Sequence, residues 1–425
     1  MPRIVVVGGG FAGINFIKTL SKNSDVEIVL VDKNNYHFFP PLLYQVATSF
    51  IEPSNIAYPF RKLFQLKKNI RFHFGSLIKV NREENNIETT SGVLKYDYLV
   101  LAMGTEPNFF GMENVRKNAL PMKTIDDALD MRNHILLNME KAAQAKTVQE
   151  KEKHLNIVIA GGGPTGVEVA GMLAEMSTHL EEKEYPEVTD VRSNIYLVDA
   201  MPVLLQPMSI KSQNEAHKVL KKLGVKILLN TAVKDYSDGK VVFSDGKTIE
   251  TEVLIWASGV VAPEVEGLAD GALGRGKRIL VDEYSQVKGS INIFAIGDIS
   301  LITEEPNFAG GHPQLAQVAI QQGRLLAKNL QSVIAGKSLK TPFRYHDKGS
   351  MAIISKYKAV VDIPENKFIK GFLAWLTWLL IHIVPLVGFG NRSKILFNWI
   401  WAFVTNDPAL RLIIGNKRKK QENRF

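Results

Sequence analysis

The chain has 425 residues, 45% hydrophobic and 22% charged, with a formal charge of +9 and no cysteine. Without thiols it has no disulfide, no thiolate metal site and no redox route through a cysteine pair. The positive charge calls for an anionic partner, and the densest basic cluster, "NKRKKQENR", directly follows a tryptophan-rich apolar region, which points to a lipid surface and away from nucleic acid. The histidines are scattered without ligand spacing, so no metal site is expected.

In chain order, "RIVVVGGGFAG" is a β-branched run feeding Gly8, Gly10 and Gly13 and then an apolar helix pattern. Gly8 permits a tight turn, Gly10 lets the backbone approach a pyrophosphate, and Gly13 allows close helix–strand packing. The next strand, "VEIVLVD", ends at Asp32, where a carboxylate can accept both hydroxyls of an adenosine ribose. "HFFPPLLYQVAT" (37–48) is apolar where a soluble loop would be polar, and "YDYLVLAMGTEPN" (96–108) reads as a strand that turns at Gly104. "AAQAKTVQEKEKH" (142–154) reads as a polar connection.

The opening pattern then recurs. "LNIVIAGGGPTGVEVAGMLAEMS" gives a strand, Gly161, Gly163 and Gly166, and a helix, and "SNIYLVDA" ends a second strand at Asp199. No arginine follows Asp199 to meet a 2′-phosphate, so NAD(H) is preferred over NADP(H). "TEVLIWASGVVAP" turns at Gly259, and "INIFAIGDIS" places Asp298 where it can accept from a ribityl chain. Two loops of this kind imply two bound dinucleotides, one FAD and the other NAD(H). In "GGHPQLAQVAIQQG", Gln317 and Gln321 share a helix face, and uncharged amides can bond quinone carbonyls without the desolvation cost of charges.

This order of motifs resembles the two-dinucleotide-binding-domain flavoproteins, the glutathione-reductase-like superfamily, from residue 1 to about 335. The resemblance implies an α/β fold with two Rossmann-like dinucleotide-binding domains, one inserted in the other. The FAD-binding segments are expected at 1–120 and 275–340, the NAD(H)-binding domain at 121–274, and a C-terminal membrane-anchoring helical region at 341–425. The disulfide, peroxide and sulfide:quinone reductases of this superfamily need cysteines, which leaves small electron carriers, membrane quinones or oxygen as acceptor.

"PLLYQVA", "GGGPTGVE", "WASGV", "AIGD", "AQVAIQQG" and "GFGNRSK" together resemble the type II NADH:quinone oxidoreductases, single-subunit respiratory enzymes that do not pump protons; "VVDIP" followed by "ENKF" departs from the pattern. The resemblance implies FAD on the first loop, with Asp32, Lys33, Thr48, Gly104, Asp298 and Gln317 among the cofactor-binding residues. It implies NADH along the second loop, Glu168, Asp199 and Gly259, with the nicotinamide over the flavin, and quinone near Gln317 and Gln321. Glu168 is then linked to substrate binding and proton delivery, and Lys348 to the proton route. Two other readings fit the loops. An NADH-dependent reductase of a soluble electron carrier would leave the apolar tail without a use, and a redox sensor would bind NADH tightly and turn over slowly.

The tail, "FLAWLTWLLIHIVPLVGFG" (372–390), has no Asp, Glu, Lys or Arg and is long enough to raise the question of a bilayer crossing. A single crossing would carry the terminal lysines to the far face, against the positive-inside tendency, and Pro385, Gly388 and Gly390 shorten the run. Two short surface helices are therefore expected, about 370–384 and 394–405. Trp375, Trp378, Trp399 and Trp401 would sit at the interface, with Arg392, Lys394 and the Lys417–Lys420 cluster on anionic headgroups. The expected assembly is a homodimer, monotopic on the cytoplasmic face of the inner membrane.

Overall fold

In a computed structural model of the chain, describing residues 1–22, 25–337, 341–405 and 411–414, the β-branched runs become strands of two parallel sheets. The chain divides into two compact units. One comprises Met1–Phe38, Ala57–Glu106 and Val260–Asp347; the other comprises Phe39–Ile56, Pro107–Gly259 and Lys348–Phe425.

In the first unit, Arg3–Val7 lies between Glu27–Asp32 and Tyr98–Leu101, and Ile70–Phe74 and Ile293–Ala295 close the two edges, all in parallel. These strands are near-continuous apolar runs because a parallel sheet is covered on both faces. One face is covered by Phe11–Leu20 and Ala316–Ile334, which cross closely at Gly323: a Cβ there would meet the carbonyl oxygen of Ala12. Phe16, Ile17, Leu20 and Leu326 fill that layer. An antiparallel meander of Leu77–Asn81, Asn86–Thr89 and Gly92–Lys95 completes the pattern.

The second unit repeats this plan. Ile157–Ala160 lies between Ile195–Val198 and Val253–Trp256, with Lys226–Leu228 and Leu120–Pro121 at the edges, again all parallel. A meander of Val233–Ser237, Lys240–Phe243 and Thr248–Glu250 follows. The unit then adds a second meander, Ser350–Ser355, Lys358–Ile363 and Lys367–Lys370, and the tail helices Gly371–Ile383 and Phe389–Thr405. Gly171, within the helix Pro164–Lys183, lets that helix press on the Ser350–Ser355 strand, since a Cβ there would meet the Ile354 carbonyl oxygen.

Two local expectations change. Residues 142–154 are not a bare polar connection: Thr147 and Glu150 form a capping box that starts a helix, Val148–Leu155. The second tail helix begins at Phe389, five residues before the expected 394, because Arg392 stabilises the junction: its Nε donates to the Leu386 carbonyl at 2.9 Å and its Nη2 to that of Val384 at 2.7 Å. Arg392 is thus spent on main-chain carbonyls at the end of the first helix, whereas a headgroup had been expected.

Candidate active site

The two glycine loops have the same build. Gly8 and Gly161 take left-handed φ values of +105° and +113°, a turn that L side chains rarely adopt. A Cβ on Gly13 would strike the Gly8 carbonyl oxygen, and one on Gly166 would strike that of Gly161, so the third glycine in each loop serves packing. The middle glycine differs in both loops: Gly10 and Gly163 have no atom within 4 Å of a Cβ position. Each begins a helix whose first N–H groups are unpaired within it, an arrangement suited to a pyrophosphate. The cradle fits a dinucleotide in each unit.

Asp32 and Asp199 also anchor their own loops. Asp32 Oδ2 accepts from the Gly9 amide at 2.6 Å and Oδ1 from Asn34 at 2.8 Å. Asp199 Oδ2 accepts from the Gly162 amide, and Oδ1 from Met201 at 2.7 Å. Each carboxylate oxygen keeps a further lone pair for a ribose hydroxyl. Burial raises the Asp32 carboxyl, with the Asn34 and Gly9 amides opposing it. His37 was missed by sequence reasoning. It is buried, its Nδ1 lies 2.9 Å from the Gly9 carbonyl, and since a carbonyl only accepts, Nδ1 carries the proton. Burial holds this ring down to about 4, so it is neutral. The only signal in the sequence was a histidine within an apolar run.

Asp298 lies in the turn Gly297–Ile299, where Gly297 has φ +77°. Gln322, fully buried, fixes that turn by accepting from the Gly297 amide at 2.6 Å. Gln317 and Gln321 lie on the same helix as Gln322, both partly exposed. The Gln321 amide is bonded on both sides to His346, donating to its carbonyl at 2.9 Å and accepting from its N–H at 3.1 Å. Lys33 is exposed, Gly104 has φ +69°, and Lys348 is exposed just before the Ser350–Ser355 strand. Thr48 is buried, and its hydroxyl donates to the Tyr44 carbonyl at 2.8 Å. Gly259 has φ +75° and lies against the Phe110 ring.

Glu168 lies in the first turns of Pro164–Lys183 and accepts from the Ile353 amide at 3.4 Å. Burial pushes its carboxyl up to about 8, so it is protonated at neutral pH. Two turns further along the same face, Glu175 accepts from the Lys356 amide at 2.8 Å and is pushed up to about 7 by burial. Between them, Met172 faces a small cavity of ≈ 20 Å³, lined also by Tyr44, Gln45, Ser355, Trp375 and Trp399. Gln45 spans one wall, accepting from Trp399 Nε1 at 2.9 Å and donating to the Tyr44 hydroxyl at 2.8 Å. Sequence reasoning found neither Glu175 nor the Tyr44–Gln45–Trp399 chain, because Glu175 and Lys356 are 181 residues apart and Gln45 and Trp399 are 354 apart.

The tail helices are two-sided. Trp378 and Trp399 are 1% and 5% exposed, so they are core residues where interface positions had been expected. Trp378 stacks on His382 at 3.9 Å, and burial holds that imidazole down to about 4, keeping the run uncharged. Outward stand Phe372, Leu373, Leu376, Leu380, Ile381 and Val384, followed on the second helix by Phe397, Ile400 and Trp401. Trp375 is partly exposed and Lys394 exposed, while Lys417–Lys420 lie outside the described residues. Among the described residues, no helix is long and apolar enough to cross a membrane.

Residues 2–323 match the pyridine nucleotide-disulphide oxidoreductase family. The chain is 36% identical over 418 residues to a type II NADH:quinone oxidoreductase of Mycobacterium tuberculosis, covering 95% of this chain and 87% of that one. It is 32% identical to a mitochondrial internal alternative NAD(P)H-ubiquinone oxidoreductase of Arabidopsis thaliana, covering 97% and 86%. Its fold matches a structure of NDH2 from Plasmodium falciparum in complex with NADH, with a TM-score of 0.89 at 22% identity over 97% of this chain and all of that one. The sulfide:quinone oxidoreductase of Aquifex aeolicus follows at TM-score 0.72 and 19% identity, covering 99% and 94%, a likeness of fold alone. With this identity extending over nearly the whole chain, the protein belongs to the type II NADH:quinone oxidoreductases.

Proposed function

We propose a division of labour within an established reaction. The protein is an FAD-dependent oxidoreductase that takes electrons from NADH and gives them to a quinone without pumping protons. When bound, FAD supplies the carrier for the electron pair. The first loop, with Gly8, Gly10, Gly13, Asp32, Gly104 and Asp298, would hold FAD. The second, with Gly161, Gly163, Gly166, Asp199 and Gly259, would hold NADH. The observation that carries this reading is the duplicated loop, open only at its middle glycine and closed by an acid bonded back to the loop amide.

The chain's own groups orient and protonate. Lys33 and Thr48 join the cofactor-binding set, Thr48 through the backbone it fastens. Glu168, protonated at neutral pH, has a proton to give, and Lys348 lies on the route that replaces it. Gln317 and Gln321 serve as quinone-side amides, Gln321 with the N–H and lone pair that His346 leaves over.

The outward apolar rows of the tail support attachment to an anionic lipid surface on the side that meets NADH, the cytoplasmic face. They also give a second copy apolar area to bury, in keeping with a homodimer. One assay tests the reaction: purified protein, NADH and a short-chain quinone, followed by loss of NADH absorbance. Saturable loss is expected. Reduction of a soluble iron–sulfur carrier with no reduction of quinone would sink the reading.

A further inference from the structure

Phe110 carries two unfavourable features at once: its φ is +51°, in the left-handed region, and it is 62% exposed. A bulky side chain rarely takes that backbone conformation, and where one does, the surrounding structure holds it there, often beside a ligand. We infer that Phe110 is a specificity-determining residue whose exposed ring packs on the nicotinamide end of NADH. The inference rests on the reading of the second glycine loop as the NADH site.

Asn108 sets the ring in place. Its amide donates to the Gly259 carbonyl at 3.2 Å, its carbonyl accepts from Trp256 Nε1 at 2.8 Å, and its Oδ1 accepts from the Phe110 amide at 2.9 Å. Phe109 then stacks on the Trp256 indole at 5.9 Å between centroids, while Phe110 meets the same indole edge-on at 6.5 Å. One ring is thus packed, and the other is left standing over Gly259, where a Cβ would come within 3.1 Å of its Cζ. The order of the sheet gives the end of the substrate that this ring meets. Ile157–Ala160 has Ile195–Val198 on one side, with Asp199 after it for the adenosine ribose, and Val253–Trp256 on the other. A pyrophosphate on Gly163 keeps the adenosine on the Asp199 side and sends the nicotinamide past the end of Val253–Trp256. Ala257, at that end, is already against the loop, since a Cβ on Gly161 would meet its carbonyl oxygen. Gly259 and the ring above it follow directly. A phenyl ring offers nothing to phosphate or to ribose hydroxyls, but it gives a pyridine ring a flat face on which both partners lose apolar area to water.

The test uses the FAD-loaded, full-length protein with NADH as substrate. The competing inhibitor is ADP-ribose, which keeps the pyrophosphate and both riboses but has no nicotinamide. Phe110→Ala should raise the KM for NADH about tenfold and leave the inhibition constant of ADP-ribose within about twofold. Phe110→Tyr, which keeps the ring, should stay within about twofold of the parent for both ligands. An unchanged KM in Phe110→Ala, or NADH and ADP-ribose weakened in parallel, would overturn the inference. Gly163→Ala tests the underlying site, and it should weaken both ligands alike because the pyrophosphate is common to them. If it weakens neither, the second loop is not the NADH site and the role of Phe110 falls with it. If it weakens both while Phe110→Ala weakens neither, the site stands and the ring has no part in it.

Discussion

At the scale of single residues, the glycines of each loop separate into two kinds. Gly166 is where a methyl group would displace the Gly161 carbonyl, and Gly163 is where it would meet open space. Gly166→Ala should therefore cost about 1–3 kcal/mol as overpacking and raise the KM for NADH. Gly163→Ala should leave Tm within a degree or two but raise that KM about tenfold, because the added carbon occupies the approach of the phosphates. Equal losses of Tm in both variants would contradict the assignment. Glu168 makes a second prediction. Its carboxyl moves from an ordinary 4.5 to about 8 on folding, so the fold favours the neutral form. The associated stability is complete below pH 4.5 and is lost as pH rises to about 8. Glu168→Gln, neutral at every pH, should raise Tm by a few degrees at pH 8.5 and leave it unchanged at pH 4, as thermal unfolding would show.

At the scale of elements, the tail helices hold two opposed faces in a few turns. Trp378 and Trp399 pack inward, where Trp399 also bonds Gln45, so truncating either to alanine should cost about 3–5 kcal/mol. Leu373, Leu380 and Val384 stand outward at 67%, 61% and 67% exposure. Changing all three to serine should alter stability little while lowering the partition onto vesicles at least tenfold, read by co-sedimentation. If the serine variant unfolds instead, this face is core and the membrane proposal fails. Gly371–Ile383 supports a surface mode, since thirteen residues rise about 20 Å against a hydrocarbon core of about 30 Å.

At the scale of the whole molecule, net charge and apolar tail should act together. Binding to vesicles with anionic lipid should exceed binding to neutral ones and weaken as salt is raised from 0.05 to about 0.5 M. Insensitivity to both lipid charge and salt would mean that apolar insertion acts alone. The doubled plan of the two units was legible in the sequence because a parallel strand buried on both faces writes itself as a β-branched run. Glycine spacing then reports a turn that only glycine accepts. His37, Gln322 and Glu175 were not legible. Their partners are a loop carbonyl, a turn amide and a strand end that meet them only after folding.

The amino-acid order alone determined the two dinucleotide loops, their acids, the absence of thiol chemistry and the family. Each of these rests on short-range spacing or on composition. Tertiary structure decided which face of each tail helix is core, turning two of four tryptophans inward and Arg392 onto main-chain carbonyls. An apolar run shows how much surface seeks cover, but what covers it depends on the elements packed alongside. The same packing set the proton affinities of Glu168 and Glu175. Burial decides them, and the amides that oppose it, of Ile353 in the strand Ser350–Ser355 and of Lys356 just after it, come from far along the chain from the helix that carries both acids.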